Sequence, residues 1–542
     1  MSGLLDAAWR LAGNLGRATR RAWLWAALPR SGGFWLEVPL APPLAELRLP
    51  GFGLGREPGL SLLELLQTLE RAARDPQVVG VLLRFEGAPR GLAQALALRR
   101  AVDAVRAAGK PVAAWGATLG AAELVVASGA GRLWLPESGA LLLVGLRAES
   151  FFLRGLLQRL GVRPEVMRVG SHKTAAEALT REGMSPEQRE QTEALLDDLY
   201  AQLVDAVARG RALDPAAVRA CIDRGPFLAP AAAEAGLIDA CLYPDELEAA
   251  LESLAPTPAP TGPGTHRVRR VAAPVYWSLR ARDTAWRPLW RSLPRVAYVV
   301  AAGPIWQGSG LRGVASERLR GLLERLGDDE GVAGVVLRLE TPGGDGVASD
   351  LLWRAVQQLR QQKPVVVSMG EVVASGGYFL AAAADSVFAE ASTLTGSIGV
   401  VGGKLNLEQL YERVGVRKES VERGARAGML SETRGFTPDE RGALREQMQS
   451  LYDRFVRKVA EGRHLGVSEV ERAAQGRVWS GQRAQGLGLV DALGGPLEAL
   501  GELRRRAGLG EGERALLEVH PRAPRLAGLR ALAGLGLGPG ID

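Results

Sequence analysis

The two halves of the chain resemble each other, and this internal repeat constrains the fold more than any other feature of the sequence. Gly-Val-Leu-Leu-Arg-Phe-Glu at 80–86 matches Gly-Val-Val-Leu-Arg-Leu-Glu at 334–340, an offset of 254 residues. Three further matches follow in the same order, at offsets of 253, 254 and 252: Lys110-Pro111-Val112 with Lys363-Pro364-Val365, Leu160-Gly161-Val162-Arg163 with Val414-Gly415-Val416-Arg417, and Gly236-Leu237-Ile238-Asp239 with Gly488-Leu489-Val490-Asp491. We therefore predict a tandem duplication of a unit of roughly 210 residues.

Short apolar runs alternate with helical patterns inside each unit. In the second unit the runs at 296–301, 332–339 and 364–368 predict buried strands, and the patterns at 316–326 and 347–361 predict helices. A long amphipathic helix is predicted over 437–463, with Thr437 and Pro438 at its start. Alternating strands and helices predict an α/β fold with mainly parallel pairing.

Composition divides the 542-residue chain further. Proline and glycine dominate 255–264, which predicts a linker, and eight arginines interleaved with tryptophans follow over 266–295. We predict five regions: a basic amphipathic segment (1–35), a first unit (36–254), a linker that is first proline-rich and then rich in arginine and tryptophan (255–293), a second unit (294–506) and a C-terminal tail (507–542).

The arginine- and tryptophan-rich segments suit an anionic membrane surface, although helices or connectors packed on the body explain them equally well. The sequence contains no run of 18 apolar residues, so no membrane-spanning helix is predicted. We expect a peripheral membrane association, with a cytoplasmic location as the alternative. No nucleic-acid-binding motif accompanies the basic residues, and no nucleic-acid partner is expected.

Several classes of site are disfavoured by the sequence. The two cysteines, Cys221 and Cys241, are too few for a disulfide scaffold. The sequence around them also lacks the spacing of a zinc site. Neither glycine-rich turn of the second unit carries a nucleotide-binding fingerprint. We predict no metal and no cofactor.

Two glycine-rich turns in the second unit are candidates for catalysis. Thr341-Pro342-Gly343-Gly344 follows a predicted strand, and Ser375-Gly376-Gly377 opens a helical run. A serine hydroxyl at a helix start can act as a nucleophile, with glycine amides directed at a developing oxyanion. The same pattern also fits a serine that merely caps the helix, and locally that interpretation is the stronger.

The repeat suggests where a base for Ser375 comes from. Ser375 projects back by 254 residues onto Ala121, and Lys173 projects forward onto Ala427, so each unit keeps a residue that the other has lost. This complementary pattern predicts one composite site with Ser375 from one unit and Lys173 from the other. A triad through His172 or His464 is the alternative.

Three segments in combination resemble the double-length form of the signal peptide peptidase A (protease IV) family, over about residues 45–500 without the linker. The segments are Gly170-Ser171-His172-Lys173-Thr174-Ala175 with Met184-Ser185-Pro186, Ala374-Ser375-Gly376-Gly377-Tyr378, and Thr395-Gly396-Ser397-Ile398-Gly399-Val400. The resemblance implies a tandem Clp protease/crotonase-like fold and a homotetramer. It assigns Ser375 as the nucleophile of a serine endopeptidase, Lys173 as its base and Ser397 as the residue that assists the lysine.

The implied substrates are hydrophobic peptides such as cleaved signal peptides, bound in an extended conformation. Gly376 and either Gly343 or Gly344 would donate amides to the oxyanion. Lys173 must be neutral to act as a base, which requires burial to lower its pKa from ~10.4 to ~7–8.

The sequence departs from the family pattern at two positions. The family usually carries Asn-Ser-Pro-Gly-Gly at the oxyanion turn, where this chain has Glu340-Thr341-Pro342-Gly343-Gly344. An N-terminal membrane helix, usual in family members of this length, is not apparent, so the arginine- and tryptophan-rich segments are expected to replace it.

Two other functions compete with the peptidase. A crotonase-like acyl-CoA enzyme shares the implied architecture and would bind coenzyme A without needing Ser375. A non-catalytic membrane-associated scaffold would use the duplicated units only for assembly, and a serine-reactive probe would not label it.

Overall fold

The architecture comes from a computed structural model of the chain. The residues it describes are 11–16, 18–19, 22, 33–41, 44–47, 59–87, 89, 91–256, 268–278, 288, 292–310, 312–510 and 512–521. Most of the predicted N-terminal segment, much of the predicted linker and the last 21 residues therefore lie outside the described residues.

The first unit is a parallel sheet covered by helices. Its six strands lie in the order β10-β1-β2-β3-β5-β9, and β4, β6 and β8 form a small second sheet. The strands are β1 (Phe34–Leu40), β2 (Val78–Phe85), β3 (Val112–Gly116), β4 (Thr118–Gly120), β5 (Arg132–Leu135), β6 (Ala140–Leu142), β7 (Arg163–Val169), β8 (Phe227–Leu228), β9 (Ala240–Cys241) and β10 (Arg270–Ala272). The helices are α1 (Leu62–Arg74), α2 (Leu92–Ala107), α3 (Ala121–Ala127), α4 (Arg154–Leu160), α5 (Glu177–Thr180), α6 (Pro186–Arg211), α7 (Pro215–Arg224), α8 (Ala229–Glu234), α9 (Leu247–Leu254) and α10 (Ala273–Tyr276).

The second unit repeats this plan. Its main sheet has the order β19-β17-β15-β14-β11-β21, with β16 and β20 paired beside β15. The strands are β11 (Arg295–Ala302), β12 (Ile305–Trp306), β13 (Val314–Ala315), β14 (Val332–Thr341), β15 (Val365–Ala374), β16 (Ser386–Ala389), β17 (Leu394–Gly396), β18 (Val400–Asn406), β19 (Val478–Ser480), β20 (Ala492–Leu493) and β21 (Leu516–His520). The helices are α11 (Ser316–Asp328), α12 (Gly346–Arg360), α13 (Gly376–Ala381), α14 (Glu408–Val414), α15 (Pro438–Arg463), α16 (Val467–Ala473), α17 (Gly481–Gly486) and α18 (Pro496–Arg506).

The predicted strands and helices of the second unit are confirmed. The three apolar runs form β11, β14 and β15, and their residues are buried because this sheet is covered on both faces. The long helix α15 begins after Thr437, whose hydroxyl accepts the Glu440 N–H, with Pro438 in the first turn.

The unit boundaries differ from the predicted ones at three places. Phe34 and Trp35 are fully buried in β1, and β10 pairs with β1 although it lies inside the predicted linker. Strand β21 pairs with β11 although it lies inside the predicted tail. Composition did not show these edge strands because their charged residues are paired within the sheets, Arg270 of β10 with Glu37 and Glu518 of β21 with Arg295.

Buried charges join the two units. The Arg338 guanidinium, 2% exposed, donates to both carboxylate oxygens of Glu46, at 2.9 and 2.8 Å. The Glu371 carboxylate accepts the backbone N–H groups of Ala93 and Gln94 in the first turn of α2. Such groups are stable in an interior only when they are paired, so they fix the relative position of the units.

Candidate active site

A two-stranded antiparallel ribbon connects the units at the candidate site. All seven residues of β7 in the first unit pair with β18 in the second, from Val169 opposite Val400 to Arg163 opposite Asn406. Lys173 follows the end of β7 and Ser397 precedes the start of β18. Because the strands run in opposite directions, both residues emerge at the same end of the ribbon.

The structure brings Lys173 and Ser375 together, as the complementary pattern of the repeat predicts. Lys173 Nζ lies 2.9 Å from Ser375 Oγ, 2.9 Å from Ser397 Oγ and 2.8 Å from the Ser397 carbonyl oxygen. The lysine is 4% exposed. These three oxygens match the hydrogen-bonding capacity of an amine in either protonation state.

Burial lowers the pKa of Lys173 from 10.5 to about 8. Removal from water disfavours the charged form of an amine, and no carboxylate contributes to the shift in the opposite direction. A substantial fraction of the lysine is therefore neutral near pH 8, with a lone pair available to accept a proton.

The backbone at Ser375 has φ 54° and ψ −120°, a conformation that residues other than glycine rarely adopt. Although α13 begins at the next residue, the Ser375 side chain makes no capping hydrogen bond. Ser375 is thus the N-cap residue by position, but its hydroxyl does not cap the helix. Its N–H donates to the Gly396 carbonyl at 2.8 Å, which leaves the hydroxyl directed at Lys173.

Backbone strain concentrates around these residues. Among the described residues other than glycine, five have positive φ. Ala212 and His464 end long helices in the left-handed conformation that is common there, whereas Ser375, Ser397 and Gln475 surround Lys173. Each strained residue costs on the order of 1–3 kcal/mol and persists only where its surroundings hold it, as is typical of active sites.

The two glycine turns meet beside Ser375. A Cβ on Gly343 would lie 2.6 Å from the Gly376 nitrogen, and a Cβ on Gly376 would lie 3.4 Å from the Gly344 nitrogen, so only glycine permits this approach at Gly343. The Gly343 N–H donates to Thr341 Oγ1. In the described part of the chain, no acceptor engages the N–H of Gly344 or of Gly376.

Sequence reasoning missed the turn that holds the lysine in place. The Gln475 carbonyl accepts the backbone N–H of His172 at 2.8 Å. A Cβ on Gly476 would lie 2.5 Å from the backbone nitrogen of Lys173. The Gly476 N–H donates to Ile398, one residue after Ser397. At the offset of 252 residues Gly476 corresponds to Arg224, so the two units differ at this position. That difference was the one feature of the sequence that indicated the turn.

The alternative bases do not reach Ser375. His464 ends α15 as its left-handed cap, and His172 Nδ1 lies 2.9 Å from Ser171 Oγ. Neither imidazole makes a hydrogen bond to Ser375 within the described residues. Nor does any group of three or more histidine, cysteine, aspartate or glutamate side chains in that part of the chain have the arrangement of a metal site.

The sequence of the chain matches a known protein family. The sequence profile of peptidase family S49 matches residues 104–257 and again 357–510, once in each unit. The chain belongs to peptidase family S49. It is therefore a peptidase with two tandem domains of that family, and the predicted tandem fold class is confirmed.

Curated relatives cover most of the chain. Serine protease SPPA, chloroplastic, of Arabidopsis thaliana is 32% identical over 83% of this chain and 66% of its own length. Protease 4 of Salmonella typhi is 30% identical over 80% of this chain and 70% of its own length. A putative signal peptide peptidase SppA of Enterococcus faecium is 34% identical over 34% of this chain and 54% of its own length.

A solved structure of a ClpP1 variant from Listeria monocytogenes matches 38% of the peptidase and 94% of its own chain, at 15% identity and a TM-score of 0.26. That similarity is too low to add to the family assignment. Among the described residues, no helix is long and apolar enough to cross a bilayer.

The contact between Gly476 and the lysine segment predicts a specific effect of Gly476→Ala. The new Cβ would collide with the Lys173 backbone and displace its amine, and a shift of about 1 Å can cost ~100-fold in rate. We expect kcat/KM for a peptide substrate to fall by about 100-fold.

Gly508→Ala is the matched control. Gly508 also has positive φ, at 69°, but a Cβ there would meet nothing within 4 Å. We expect this variant to lose a similar amount of stability from backbone strain and to keep its activity. Equal activities of the two variants would contradict the positioning role of Gly476.

Proposed function

We propose that the peptidase cleaves peptide bonds with a serine–lysine dyad formed by Ser375 and Lys173. The observation that supports it best is the buried amine of Lys173, held 2.9 Å from the Ser375 hydroxyl with no counter-ion among the causes of its lowered pKa. Family membership favours peptide hydrolysis over both the acyl-CoA enzyme and the non-catalytic scaffold.

In the first step Ser375 Oγ attacks the scissile carbonyl carbon. The lone pair of neutral Lys173 takes the hydroxyl proton as the new C–O bond forms, and the carbonyl π electrons move to oxygen. The resulting ammonium then gives this proton to the leaving amine, the C–N bond breaks, and an acyl ester on Ser375 remains.

In the second step water hydrolyses the ester. Lys173, neutral again after releasing its proton, takes a proton from the attacking water and returns it to Ser375 Oγ as the ester C–O bond breaks. The peptide leaves as a carboxylic acid and the dyad is regenerated. The same amine thus serves as base and acid in both halves of the cycle.

Ser397 acts as the positioning residue for the lysine. The two N–H bonds of the neutral amine are directed at the Ser397 carbonyl oxygen and hydroxyl, so the lone pair faces Ser375. The N–H groups of Gly376 and Gly344 are the donors for the oxyanion, because the Gly343 N–H is already engaged by Thr341.

Apolar side chains near the dyad favour hydrophobic peptides as substrates. Trp306 is 54% exposed beside the Gly344 turn, and Val347 and Leu351 at the start of α12 are 57% and 45% exposed. Burying such surface against an extended apolar peptide is favourable. Cleaved signal peptides have this chemistry, and the name of the Enterococcus relative refers to them.

Removing either member of the dyad should abolish hydrolysis of a quenched hydrophobic peptide. We expect Ser375→Ala and Lys173→Ala each to lower kcat/KM by about 10⁴-fold or more. Lys173→Arg should be equally inactive, because a guanidinium does not lose its proton near neutral pH. Ser397→Ala should cause a smaller loss that falls on kcat.

Lys418→Arg is the control for the lysine substitution, since Lys418 is 47% exposed and paired with Glu432. It should keep full activity. The dyad would be rejected if Lys173→Arg retained the wild-type rate while its circular dichroism spectrum was unchanged.

The pKa of Lys173 predicts the pH dependence. Protonated lysine has no lone pair, so kcat/KM should fall tenfold per pH unit below about 8 and level off above it. The measurement is a profile of kcat/KM between pH 5.5 and 10, a range that extends about two pH units on either side of the expected midpoint.

Glu340→Gln is the matched control for that profile. Burial raises the pKa of Glu340, next to the oxyanion turn, to about 7. If Lys173 controls the profile, the midpoint near 8 stays in Glu340→Gln. A midpoint that disappears in this variant assigns the titration to the carboxyl group and contradicts the role of the lysine.

We also propose a peripheral contact with anionic membranes through the predicted segments 1–35 and 255–293, apart from their residues in β1 and β10, which are paired in the sheet of the first unit. Their arginines and tryptophans support it, since arginine is attracted to anionic lipid and tryptophan favours the interface.

Co-sedimentation with vesicles tests this contact. The peptidase should bind vesicles containing phosphatidylserine at low salt, release at high salt, and ignore purely phosphatidylcholine vesicles. Failure to bind the anionic vesicles at low salt would contradict the proposal.

A further inference from the structure

The strands that lead into the two glycine turns, β14 and β15, change register just before those turns. Leu339 pairs with Met369, and the next pair is Thr341 with Val373. One residue of β14 therefore lies opposite three residues of β15, 370–372, which form an enlarged β-bulge. Bulges are common beside active sites, where they redirect the chain that follows them.

The residue of β14 that lies opposite the bulge is Glu340, and its carboxylate fills the space beside the bulge. Oε2 of Glu340 accepts the backbone N–H of Glu371 at 2.7 Å. A Cβ on Gly370 would collide with the same oxygen, so only glycine leaves room for it. An interior N–H without an acceptor is unfavourable, and the side chain of Glu340 replaces the carbonyl that a regular strand pair would supply.

The contact needs an acceptor oxygen rather than a negative charge. The group that the Glu340 side chain binds is a neutral backbone N–H. Burial raises the pKa of Glu340 to about 7, while the N–H of Glu371 and the charge of Arg338 act in the opposite direction. A glutamine side chain offers the same acceptor oxygen at the same reach without a charge.

The register after the bulge sets the distance between the two glycine turns. Thr341 is fully buried, and its hydroxyl accepts the Gly343 N–H at 3.1 Å. A Cβ on Gly377 would lie 2.6 Å from the methyl group of Thr341, so this side chain contacts both turns. Because one residue of a strand spans about 3.3 Å, a slip of one residue would move the oxyanion turn away from Ser375.

The first unit has the same residues without this arrangement. At the offset of 254 residues, Glu86 corresponds to Glu340 and Gly116 corresponds to Gly370. Glu86 is nevertheless exposed, and the sequence that follows it, at 87–90, lacks the paired glycines of the oxyanion turn. The carboxylate is therefore enclosed only in the unit that supplies the serine.

We propose that Glu340 is a positioning residue for the oxyanion turn. Its carboxylate holds the bulge of β15 in place, and the bulge fixes the register in which Gly344 and Gly376 present their N–H groups to one oxyanion. This role deepens the proposed function and rests on it, because these N–H groups are the donors that the mechanism assigns.

Steady-state kinetics with a quenched hydrophobic peptide test this role. Glu340→Ala removes the acceptor, and we expect kcat to fall by about 100-fold, the cost of a misplacement of about 1 Å. KM should stay close to the wild-type value, because the oxyanion forms only in the transition state. Glu340→Gln keeps the acceptor oxygen and should restore most of kcat.

Two further variants complete the series. Glu86→Ala, at the exposed counterpart, should change neither kcat nor the midpoint of thermal unfolding. Glu340→Asp keeps the charge but withdraws the carboxylate by one methylene, so its kcat should fall although the charge is conserved. If Glu340→Ala loses its folded circular dichroism spectrum, Glu340→Asp decides the question: a folded variant with the wild-type kcat contradicts the proposal.

A peptide aldehyde separates positioning from a general distortion of the site. Its adduct with Ser375 places a tetrahedral oxygen where the oxyanion forms, so Glu340→Ala should weaken inhibition by about the factor that is lost in kcat/KM. The affinity for the cleaved product peptide should not change. Equal losses for the aldehyde and for the product would show a distorted groove and would overturn the positioning role.

Ser375→Ala, measured in the same series, distinguishes this inference from the proposed function. Hydrolysis that survives Ser375→Ala rejects the dyad, and the role of Glu340 with it. Hydrolysis that requires Ser375 but proceeds at the wild-type kcat in Glu340→Ala rejects the role of Glu340 alone. Failure of Glu340→Gln to restore kcat contradicts the assignment of its side chain as a hydrogen-bond acceptor.

Discussion

The antiparallel pairing of β7 with β18 is the interaction on which the site depends. It brings into one place a lysine and a serine that are 202 residues apart in the chain, each supplied by a unit that lacks the other. Seven consecutive residue pairs define the register, and a slip by one residue would turn every side chain of the strand to the opposite face. Two further contacts, away from the ribbon, keep the units in the same relative position. They are the buried Arg338–Glu46 pair and the hydrogen bonds from α2 to Glu371.

Docking also removes water from the amine of Lys173, which the proposed mechanism requires. Lowering the pKa of Lys173 from 10.5 to about 8 corresponds to roughly 3 kcal/mol of folding free energy lost below pH 8. The native state binds fewer protons than the unfolded chain between these two values, so stability rises with pH across that window. The strained backbones of Ser375, Ser397 and Gln475 add to this cost, which packing in the rest of both units must offset.

The sequence was most informative where two physical signals agreed. The repeat and the apolar runs predicted the fold, and the reciprocal loss at Ala121 and Ala427 predicted that Lys173 and Ser375 lie together. The positive φ of Ser375 and the approach of Gly476 to Lys173 could not be predicted, because both depend on backbone contacts between segments far apart in sequence. Strands β10 and β21 were missed because they were read as parts of a linker and a tail, whereas their charged residues, Arg270 and Glu518, form ion pairs with the neighbouring strands.

The duplication explains why Lys173 and Ser375 meet within one chain. Because the two units belong to one chain, their contact is intramolecular and does not weaken on dilution.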